Sequence, residues 1–384
     1  MKPIVKTIAS QPSWVVRNRN MELAVTKLGG QMAPVTFGRN TSSPVRPYYI
    51  SPWQGEGQRI DDPVLVPLRG DFFCLPFGDN LTPVKGKRHV CHGQPASRKW
   101  SFRGLEERGG VTKFTLSMKT TILQGSVTKT FFLVDGHNVV YTRHLLEGYK
   151  GALSLGHHAT LALPEKEGSV LISTSRFDLG LTCPVLVGDP AQGGYQSFAP
   201  GKKFKSLSRV PLLWKDEPFG DCTAFPVRKG FSDILGLFKK PGRTPAWTTA
   251  VNTVDGYLWF SMKDAALLPA TVFWISNCGL YAPPLCGRNR CVGLEDVCGF
   301  LAVGGAESAR PNTATRAGFP TAVKLSPRRP TAVHYIQGAV KVSKDFGRVK
   351  TVHFGPGEAT FVSEKGKKVA VPVAHEFLKD EAPA

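Results

Sequence analysis

Two stretches of the chain have the pattern of β-hairpins. Residues 127–142 consist of two runs rich in β-branched and aromatic side chains that flank Asp135-Gly136, and residues 249–262 flank Asp255-Gly256 in the same way. Asp-Gly suits the positive φ angles of a type I′ turn, which joins the strands of a tight hairpin. The pattern therefore predicts two antiparallel hairpins with turns at these dipeptides.

The rest of the pattern also favours strands over helices. Residues 114–118 alternate apolar and polar side chains, as in a strand with one buried face. No segment has a sustained apolar stripe at helical spacing, and only residues 233–238 and 263–268 suit a short helical turn. We expect an all-β fold, a large antiparallel β-sandwich of two packed sheets that forms a single domain over residues 1–384.

The composition agrees with many short strands joined by turns. The 384 residues include 40 Gly and 30 Pro, a density that excludes a long-helix or coiled-coil protein. Hydrophobic residues make up 41% of the chain, which is enough to bury a core and excludes wholesale disorder. The glycine-rich stretch 188–205 is typical of a long loop, and we expect it to form a lid or a wall of a site.

The net charge is strongly positive. The chain has 49 Lys and Arg against 29 Asp and Glu, a difference of +20. The excess is spread over residues 201–243 and 324–368, and no recognition helix, zinc-finger spacing or RNA-binding strand pattern accompanies it. We therefore expect a solvated basic surface without specific nucleic-acid binding, with attraction to anionic ligands as an alternative.

The cysteines and the N-terminal residues predict a cytoplasmic protein without a metal centre. The eight cysteines match no zinc-ligand spacing, so we expect reduced thiols. The first residues lack the apolar region of a signal peptide, and no apolar run approaches the ~20 residues that cross a membrane. Signatures of phosphate-binding loops, dinucleotide folds, serine hydrolases and zinc proteases are also missing. We expect no cofactor and no membrane association.

Three short stretches combine ionisable side chains with a strand or turn context. They are Cys91-His92-Gly93, residues 155–164 with His157 and His158, and residues 292–297 with Glu295, followed later by Pro356-Gly357-Glu358. Adjacent histidines on a strand point to opposite faces, so at least one of His157 and His158 is expected to be structural. Glu295 is more informative, because a carboxylate is rarely buried without a partner.

In this order the motifs resemble those of the aldose 1-epimerase (galactose mutarotase) superfamily. That family has an early His-Gly motif, a second His on a middle strand, a late Leu-Glu pair and a Pro-Gly-Glu turn before the final strand. The matching positions are His92-Gly93, His158, Leu294-Glu295 and Pro356-Gly357-Glu358, and residues 70–78 lie where the family has a sugar-pocket strand. The resemblance covers most of the chain and implies a galactose mutarotase-like supersandwich.

The resemblance implies an isomerase of carbohydrate metabolism that interconverts the anomers of a sugar. Opening the sugar ring removes the proton of the anomeric hydroxyl and protonates the ring oxygen, which a carboxylate and an imidazole can do without a metal or cofactor. By resemblance, Glu295 is the base and His158 the acid, while His92 stabilises developing charge nearby. We expect these three side chains to converge in one open cleft.

The sequence suggests five candidates for sugar binding: Asp71, His157, Asp221, Trp274 and Arg290. Asp71 lies near the position of the family's sugar-contacting Arg, and Asp221 is the nearest match to its mid-chain Asp. The indole of Trp274 or Trp100 can cover an apolar face of a sugar. The family's Asn-His-x-Tyr-Phe-Asn-Leu motif is replaced by His-His-Ala-Thr-Leu-Ala-Leu at residues 157–163, so the identity of the sugar is not predicted.

The sequence also leaves open three functions other than an isomerase of neutral sugars. The loss of the Asn and both aromatic residues around His158 favours a non-catalytic carbohydrate-binding protein on the same scaffold. The +20 charge, with Arg288 and Arg290 just before Glu295, favours an epimerase or binder for an anionic sugar, phosphorylated or uronic. Nucleic-acid binding ranks last, and the sequence defines no oligomeric state.

Overall fold

Antiparallel strands form most of the regular structure. A computed structural model describes residues 1–84, 86–379, 382 and 383. Strands make up 47% of the structure and helices 5%, which confirms the predicted all-β class.

The strands of the first half of the chain are β1 (Ile4–Ile8), β2 (Gln11–Arg17), β3 (Met21–Thr26), β4 (Met32–Phe37), β5 (Phe73–Cys74), β6 (Ser101–Arg108), β7 (Val111–Thr120), β8 (Gly125–Val134), β9 (Val139–Glu147), β10 (Gly151–Leu153), β11 (Leu155–His157), β12 (Ala159–Ala162), β13 (Val170–Thr174) and β14 (Leu179–Thr182). Those of the second half are β15 (Lys203–Phe204), β16 (Val210–Pro211), β17 (Phe219–Gly220), β18 (Ala224–Phe225), β19 (Phe231–Phe238), β20 (Ala246–Asn252), β21 (Tyr257–Lys263), β22 (Ala270–Asn277), β23 (Arg290–Cys298), β24 (Val323–Leu325), β25 (Thr331–Lys341), β26 (Val349–Gly355), β27 (Glu358–Ser363) and β28 (Lys368–Pro372).

Helical structure is short. It consists of α1 (Gly305–Ser308), α2 (Thr313–Arg316) and three 3₁₀ segments, Gln94–Ala96, Pro190–Gln192 and His375–Leu378. Within the described part of the chain, no helix has the length and apolar character required to cross a membrane.

Two large antiparallel sheets organise the molecule. The eight-stranded sheet has the order β15-β14-β19-β22-β23-β11-β5, with β12 also paired to β23. The nine-stranded sheet has the order β18-β13-β20-β21-β25-β9-β8-β7-β6. Smaller sheets are formed by β1 to β4 at the N-terminal end and by β26 to β28 at the C-terminal end. β10 pairs with β24, and β16 pairs with β17.

Three apolar clusters pack on the faces of these two sheets. The largest combines Phe273 and Leu294 of the eight-stranded sheet with Phe131 and Trp259 of the nine-stranded sheet, and therefore lies between them. A second cluster covers the outer face of the eight-stranded sheet, and a third packs the C-terminal sheet on the nine-stranded sheet. Two sheets packed face to face through a shared apolar layer form the predicted sandwich. That the whole chain forms a single domain stays a prediction.

Both predicted hairpins form, but their turns differ from the prediction. Leu133 lies opposite Val140 in the first hairpin, and Asn252 lies opposite Tyr257 in the second, so each loop is longer than two residues. In each loop the glycine alone has a positive φ angle, whereas a type I′ turn needs two. The type I′ assignment was wrong. In the second loop the Asn252 side chain accepts two backbone N–H groups, and this local bonding favours the longer turn.

The two expected helical turns have different outcomes. Residues 233–238 belong to strand β19, because pairing with β14 and β22 on both edges overrides any local helical tendency. Residues 263–268 contain a single turn, in which the Leu268 N–H donates to the Asp264 carbonyl at 2.9 Å. The stretch 188–205 is largely a loop as predicted, but it contributes no wall to the cavity described below.

Candidate functional site

A cavity lies on the outer face of the eight-stranded sheet. Its volume is about 210 Å³, which suits one small molecule. Its wall is mostly apolar, with one group of ionisable side chains. The lining residues are Asp62, Val64, Leu65, Leu68, Phe72, Asp79, Cys91, His92, His158, Ile234, Trp274, Leu280, Leu285, Glu295 and Ala302.

His158 and Glu295 are cross-strand neighbours in this cavity. β11 and β12 pair with β23 in one continuous register, which brings His158 opposite Glu295. Opposite residues on one face of an antiparallel pair are close enough for their side chains to interact. The His158 Nε2 lies 3.0 Å from Glu295 Oε1, and the two side chains are only 4% and 2% exposed. The strand pairing itself therefore assembles the reactive pair.

The neighbours of this pair along each strand face the opposite layer. Because side chains alternate along a strand, His157 and Asp296 point into the apolar layer between the sheets. The His157 Nδ1 lies 2.9 Å from Asp71 Oδ2, and its ring stacks on Tyr335 with centroids 4.1 Å apart. The Lys263 Nζ lies 2.6 Å from an Asp296 oxygen. One pair of strands thus separates an interior ionic network from the cavity.

Aromatic rings and a hydroxyl hold the His158 imidazole in place. Phe72 stacks on it with ring centroids 4.4 Å apart and an interplanar angle of 17°. Trp274 meets it edge to face at 5.7 Å. The Thr160 Oγ1 lies 3.0 Å from Nδ1, which leaves Nε2 directed at Glu295. These contacts fix the ring orientation that a proton transfer requires.

Burial favours the uncharged forms of His158 and Glu295. Burial, with repulsion from Asp79 and Asp296, raises the pKa of Glu295 well above its usual value. Burial, with repulsion from His92, lowers the pKa of His158 well below its usual value. Both shifts favour the uncharged forms, in which one proton lies between Oε1 and Nε2. The second oxygen, Glu295 Oε2, is buried without a hydrogen-bond partner.

A left-handed turn brings His92 to the cavity. His92 has a φ of 55°, and a Cβ added at Gly93 would lie 2.0 Å from the Leu75 carbonyl oxygen, so only glycine fits there. The rings of His92 and His158 meet edge to face with centroids 4.8 Å apart. The Gly78 N–H donates to His92 Nδ1 at 3.4 Å, and burial lowers the pKa of His92 to about 4. The ring is therefore neutral at pH 7, with its proton on Nε2.

Asp62, Asp79 and Cys91 form an acidic wall in the same cavity. The Cys91 thiol donates to Asp79 Oδ1 at 3.9 Å. Desolvation by the cavity wall and repulsion from Asp62 raise the pKa of Asp79 to about 6, and burial raises the pKa of Asp62 as well. Burial and the same carboxylates raise the pKa of the Cys91 thiol, so it stays protonated and acts as a donor. In the described residues no group of three or more His, Cys, Asp and Glu side chains is arranged to hold a metal ion.

Four residues that the sequence singled out lie together in the cavity. They are His92, His158, Glu295 and Trp274. They come from four separate segments: the loop after β5, the junction of β11 and β12, β23, and β22. Their catalytic and binding roles stay predictions.

The other four candidate residues lie outside the cavity. Asp71 and His157 bond to each other between the sheets, because His157 precedes His158 on the strand and must face the other way. Asp221 is exposed and accepts a local N–H group. The Arg290 Nη1 lies 3.5 Å from Glu165 Oε1, also away from the cavity. Trp100 is buried and its indole N–H donates to a backbone carbonyl.

The acidic wall is the part of the site that the sequence did not reveal. Asp79 directly follows residues 70–78, which resemble a sugar-pocket strand, and this adjacency is the one available signal. Asp62 lies in a loop without a recognisable motif. It reaches the cavity only because the loop returns to the sheet face.

Solved structures of galactose mutarotase-like proteins share this fold. One such protein, from Clostridium acetobutylicum, has a TM-score of 0.60 at 10% identity, covering 88% of this chain and 98% of its own. A galactose mutarotase related enzyme from Lactobacillus acidophilus has a TM-score of 0.54 at 10% identity, covering 86% of this chain and 98% of its own. A candidate aldose 1-epimerase from Escherichia coli K12 has a TM-score of 0.54 at 12% identity, covering 86% and 99%.

No protein-family model and no curated protein sequence matches the chain. At identities of 10% to 12%, the structural likeness establishes the fold. The chain has the galactose mutarotase-like fold, and the resemblance drawn from the order of the motifs is confirmed at that level.

Proposed function

We propose that this protein is an aldose 1-epimerase-like isomerase that interconverts the anomers of a sugar by acid–base ring opening and closure. One observation carries the proposal. The His158 Nε2 and Glu295 Oε1 lie 3.0 Å apart in a cavity, and Glu295 Oε2 has no partner. A buried acid and base that already share a proton are suited to moving protons on a bound molecule.

The geometry of the pair suits the chemistry of an anomeric centre. Ring opening takes a proton from the anomeric hydroxyl and delivers one to the ring oxygen, and both oxygens are bonded to the same carbon. Both oxygens can therefore be reached by an acid and a base that lie side by side. His158 and Glu295 do so, because their strands are paired in register.

The proton count also suits this reaction. In the resting pair both side chains are uncharged, with one proton between Glu295 Oε1 and His158 Nε2. Moving that proton to His158 creates a carboxylate and an imidazolium without exchange with solvent. Glu295 then takes the anomeric hydroxyl proton while His158 protonates the ring oxygen, the ring C–O bond breaks, and an aldehyde forms. Rotation of the aldehyde and the reverse transfers close the ring on its other face, and the pair returns to its starting state.

His92 supports the transfer as a neutral hydrogen-bond donor. Its pKa of about 4 keeps it uncharged at pH 7, and its proton lies on Nε2. A neutral donor beside His158 can stabilise negative charge that develops on a sugar oxygen without repelling the imidazolium.

Exchange between the anomers of D-glucose and D-galactose, measured by two-dimensional exchange NMR, tests the proposal. We expect wild-type protein to accelerate exchange and Glu295→Gln and His158→Gln each to reduce the protein-dependent rate at least ~100-fold, because each removes a proton carrier. Glu358→Gln makes the same chemical change at the exposed first residue of β27 and should leave the rate unchanged.

Two results would contradict this function. Binding of the sugars by wild-type protein without accelerated exchange would favour the non-catalytic carbohydrate-binding protein. Exchange that survives both substitutions, in variants with wild-type circular dichroism, would remove His158 and Glu295 from the mechanism.

A further inference from the structure

The sign of charge in the cavity is opposite to that of the whole chain. The protein carries a formal charge of +20, yet its cavity is lined by Asp62, Asp79 and Glu295. Among the described residues that line it, none is a lysine or an arginine. The surplus of positive charge therefore belongs to other surfaces.

The arginines that precede Glu295 in sequence have partners of their own. Arg288 makes two hydrogen bonds to the Glu56 carboxylate, at 2.5 and 2.6 Å. Arg290 lies beside Glu165. Neither arginine lines the cavity, so neither is placed to receive a phosphate or a sugar carboxylate there.

Asp79 is the carboxylate of the acidic wall best placed to meet a ligand. It is exposed to solvent and also lines the cavity. Its Oδ1 accepts the Cys91 thiol at 3.9 Å, and a thiol is a weak donor. Its backbone N–H is bonded to the Ala302 carbonyl at 2.7 Å, which fixes its position on the wall. The carboxylate is therefore held in place with most of its accepting capacity available.

We propose that Asp79 is a specificity-determining residue: it accepts hydrogen bonds from hydroxyl groups of an uncharged sugar and, together with Asp62, excludes phosphorylated and uronic sugars. A carboxylate bonds well to hydroxyl donors, and it repels an anion where no cation compensates. The buried and unpartnered Glu295 Oε2 in the same cavity is independent evidence that a hydrogen-bonding ligand enters there. The inference rests on the proposed function in taking that ligand to be a sugar.

The ionisation of the wall agrees with this role. With a pKa of about 6, Asp79 is charged at pH 7 and above. The groups that face it are Asp62, Cys91 and Glu295, and burial raises the pKa values of the latter two, which favours their uncharged forms. The two aspartates therefore supply the negative charge that an anionic sugar meets.

Binding measurements on matched sugar pairs test the inference without requiring turnover. Calorimetry or saturation-transfer NMR compares D-galactose with D-galacturonate, and D-glucose with D-glucose 6-phosphate. We expect wild-type protein to bind the neutral member of each pair at least tenfold more tightly. Asp79→Asn should weaken the binding of the neutral sugars roughly tenfold or more, because a charge-assisted hydrogen bond is lost. It should also reduce the preference for neutral over anionic sugars. Asp62→Asn should reduce the discrimination with a smaller effect on the neutral sugars.

Asp61→Asn is the matched control. It removes the same charge from the residue that precedes Asp62. The Asp61 side chain is 85% exposed, pairs with Arg59 and does not line the cavity. We expect it to leave affinity and discrimination unchanged. Circular dichroism of each variant separates a loss of binding from a loss of folding.

The outcomes for Asp79 and for catalysis are distinguishable. Neutral sugars that bind through Asp79 without anomeric exchange would support the inference and contradict the isomerase. Anomeric exchange, together with equal or tighter binding of the anionic sugars, would support the isomerase and contradict the inference. An Asp79→Asn protein that is folded and has wild-type affinity for every sugar would overturn the inference. No binding of any of these sugars would overturn both.

Discussion

His92 illustrates how much one residue's conformation can reveal. Its φ of 55° lies in the left-handed region that few side chains adopt, and Gly93 follows with a φ of 77°. A His-Gly pair in such a turn is held there by the surrounding structure, which is a frequent feature of functional sites. The motif was therefore informative, whereas the equally polar Asp221 proved to be an exposed loop residue.

His92 should also make the protein acid-sensitive. Burial lowers its pKa from 6.5 to about 4, so between these pH values the unfolded chain binds a proton that the folded chain does not. Stability from this source is therefore lost as the pH falls from 6.5 to 4, by about 3 kcal/mol at ~1.36 kcal/mol per pH unit. Asn tolerates the same backbone conformation. Between pH 6.5 and 4, the unfolding free energy of His92→Asn, measured by chemical denaturation, should therefore fall by about 3 kcal/mol less than that of the wild type.

His353→Asn provides the control for this pH effect, since His353 is exposed on β26. We expect its stability curve to run parallel to that of the wild type. A His92→Asn curve that also runs parallel would contradict the buried, neutral state of His92.

Strand β23 is the element on which the site depends. Successive residues of β23 contribute Glu295 to the cavity and Asp296 to the interior network of Lys263, Ser261 and Tyr335. The first side chain needs access to a ligand and the second needs protection from water. Alternation along a single strand meets both requirements.

Gly293 on the same strand keeps space for the Glu295 carboxylate. A Cβ at this position would lie 2.7 Å from Glu295 Oε1 and 3.1 Å from the Trp274 Cβ. Because the end of the Glu295 side chain can move, we expect Gly293→Ala to displace the carboxylate from His158 at a cost of only about 1–3 kcal/mol in unfolding free energy. Anomeric exchange measured by NMR should fall at least tenfold.

Gly355→Ala, at the end of β26, is the corresponding control. Apart from the adjacent residues, no described atom lies within 4 Å of a Cβ added there, and the exchange rate should be unchanged. A wild-type exchange rate in Gly293→Ala would mean that anomeric exchange does not require the Glu295 carboxylate to lie in its observed position beside His158.

The features predicted most reliably from the sequence were those that strand geometry determines. Alternation and the Asp-Gly pairs led to the correct hairpins, and adjacent histidines had to face opposite layers. The type I′ turns and the helical turn at residues 233–238 were wrong because tertiary pairing and a local Asn252 bond outweigh dipeptide preference. Asp62 could not be foreseen, and Asp79 had only its adjacency to residues 70–78 as a signal, because loops reach the cavity through three-dimensional packing rather than through a periodic pattern.

Across the whole molecule, charge is divided between a basic exterior and an acidic cavity. Like charges on a surface repel one another and destabilise the compact state, and salt screens that repulsion. The +20 charge is therefore a property of stability and solubility, whereas the choice of ligand depends on a few carboxylates.

Salt should separate these two contributions. Raising the ionic strength from ~0.01 to ~0.15 M shortens the screening length from about 30 to about 8 Å, so we expect a higher thermal midpoint. Affinity for a neutral sugar should stay constant, while the weak affinity for galacturonate should increase as repulsion from Asp62 and Asp79 is screened. NaCl and KCl should act equally. A midpoint that is unchanged or lower in both salts would contradict surface repulsion as a destabilising factor.

The reactive pair lies on paired strands, while much of the cavity wall comes from loops around residues 62–68, 79 and 280–285. Loops tolerate substitution and insertion far better than central strands do. A descendant of this protein could therefore acquire a different ligand by exchanging loop residues such as Asp79 while keeping His158 and Glu295 in register. Ligand preference and proton transfer can evolve at different rates on this scaffold.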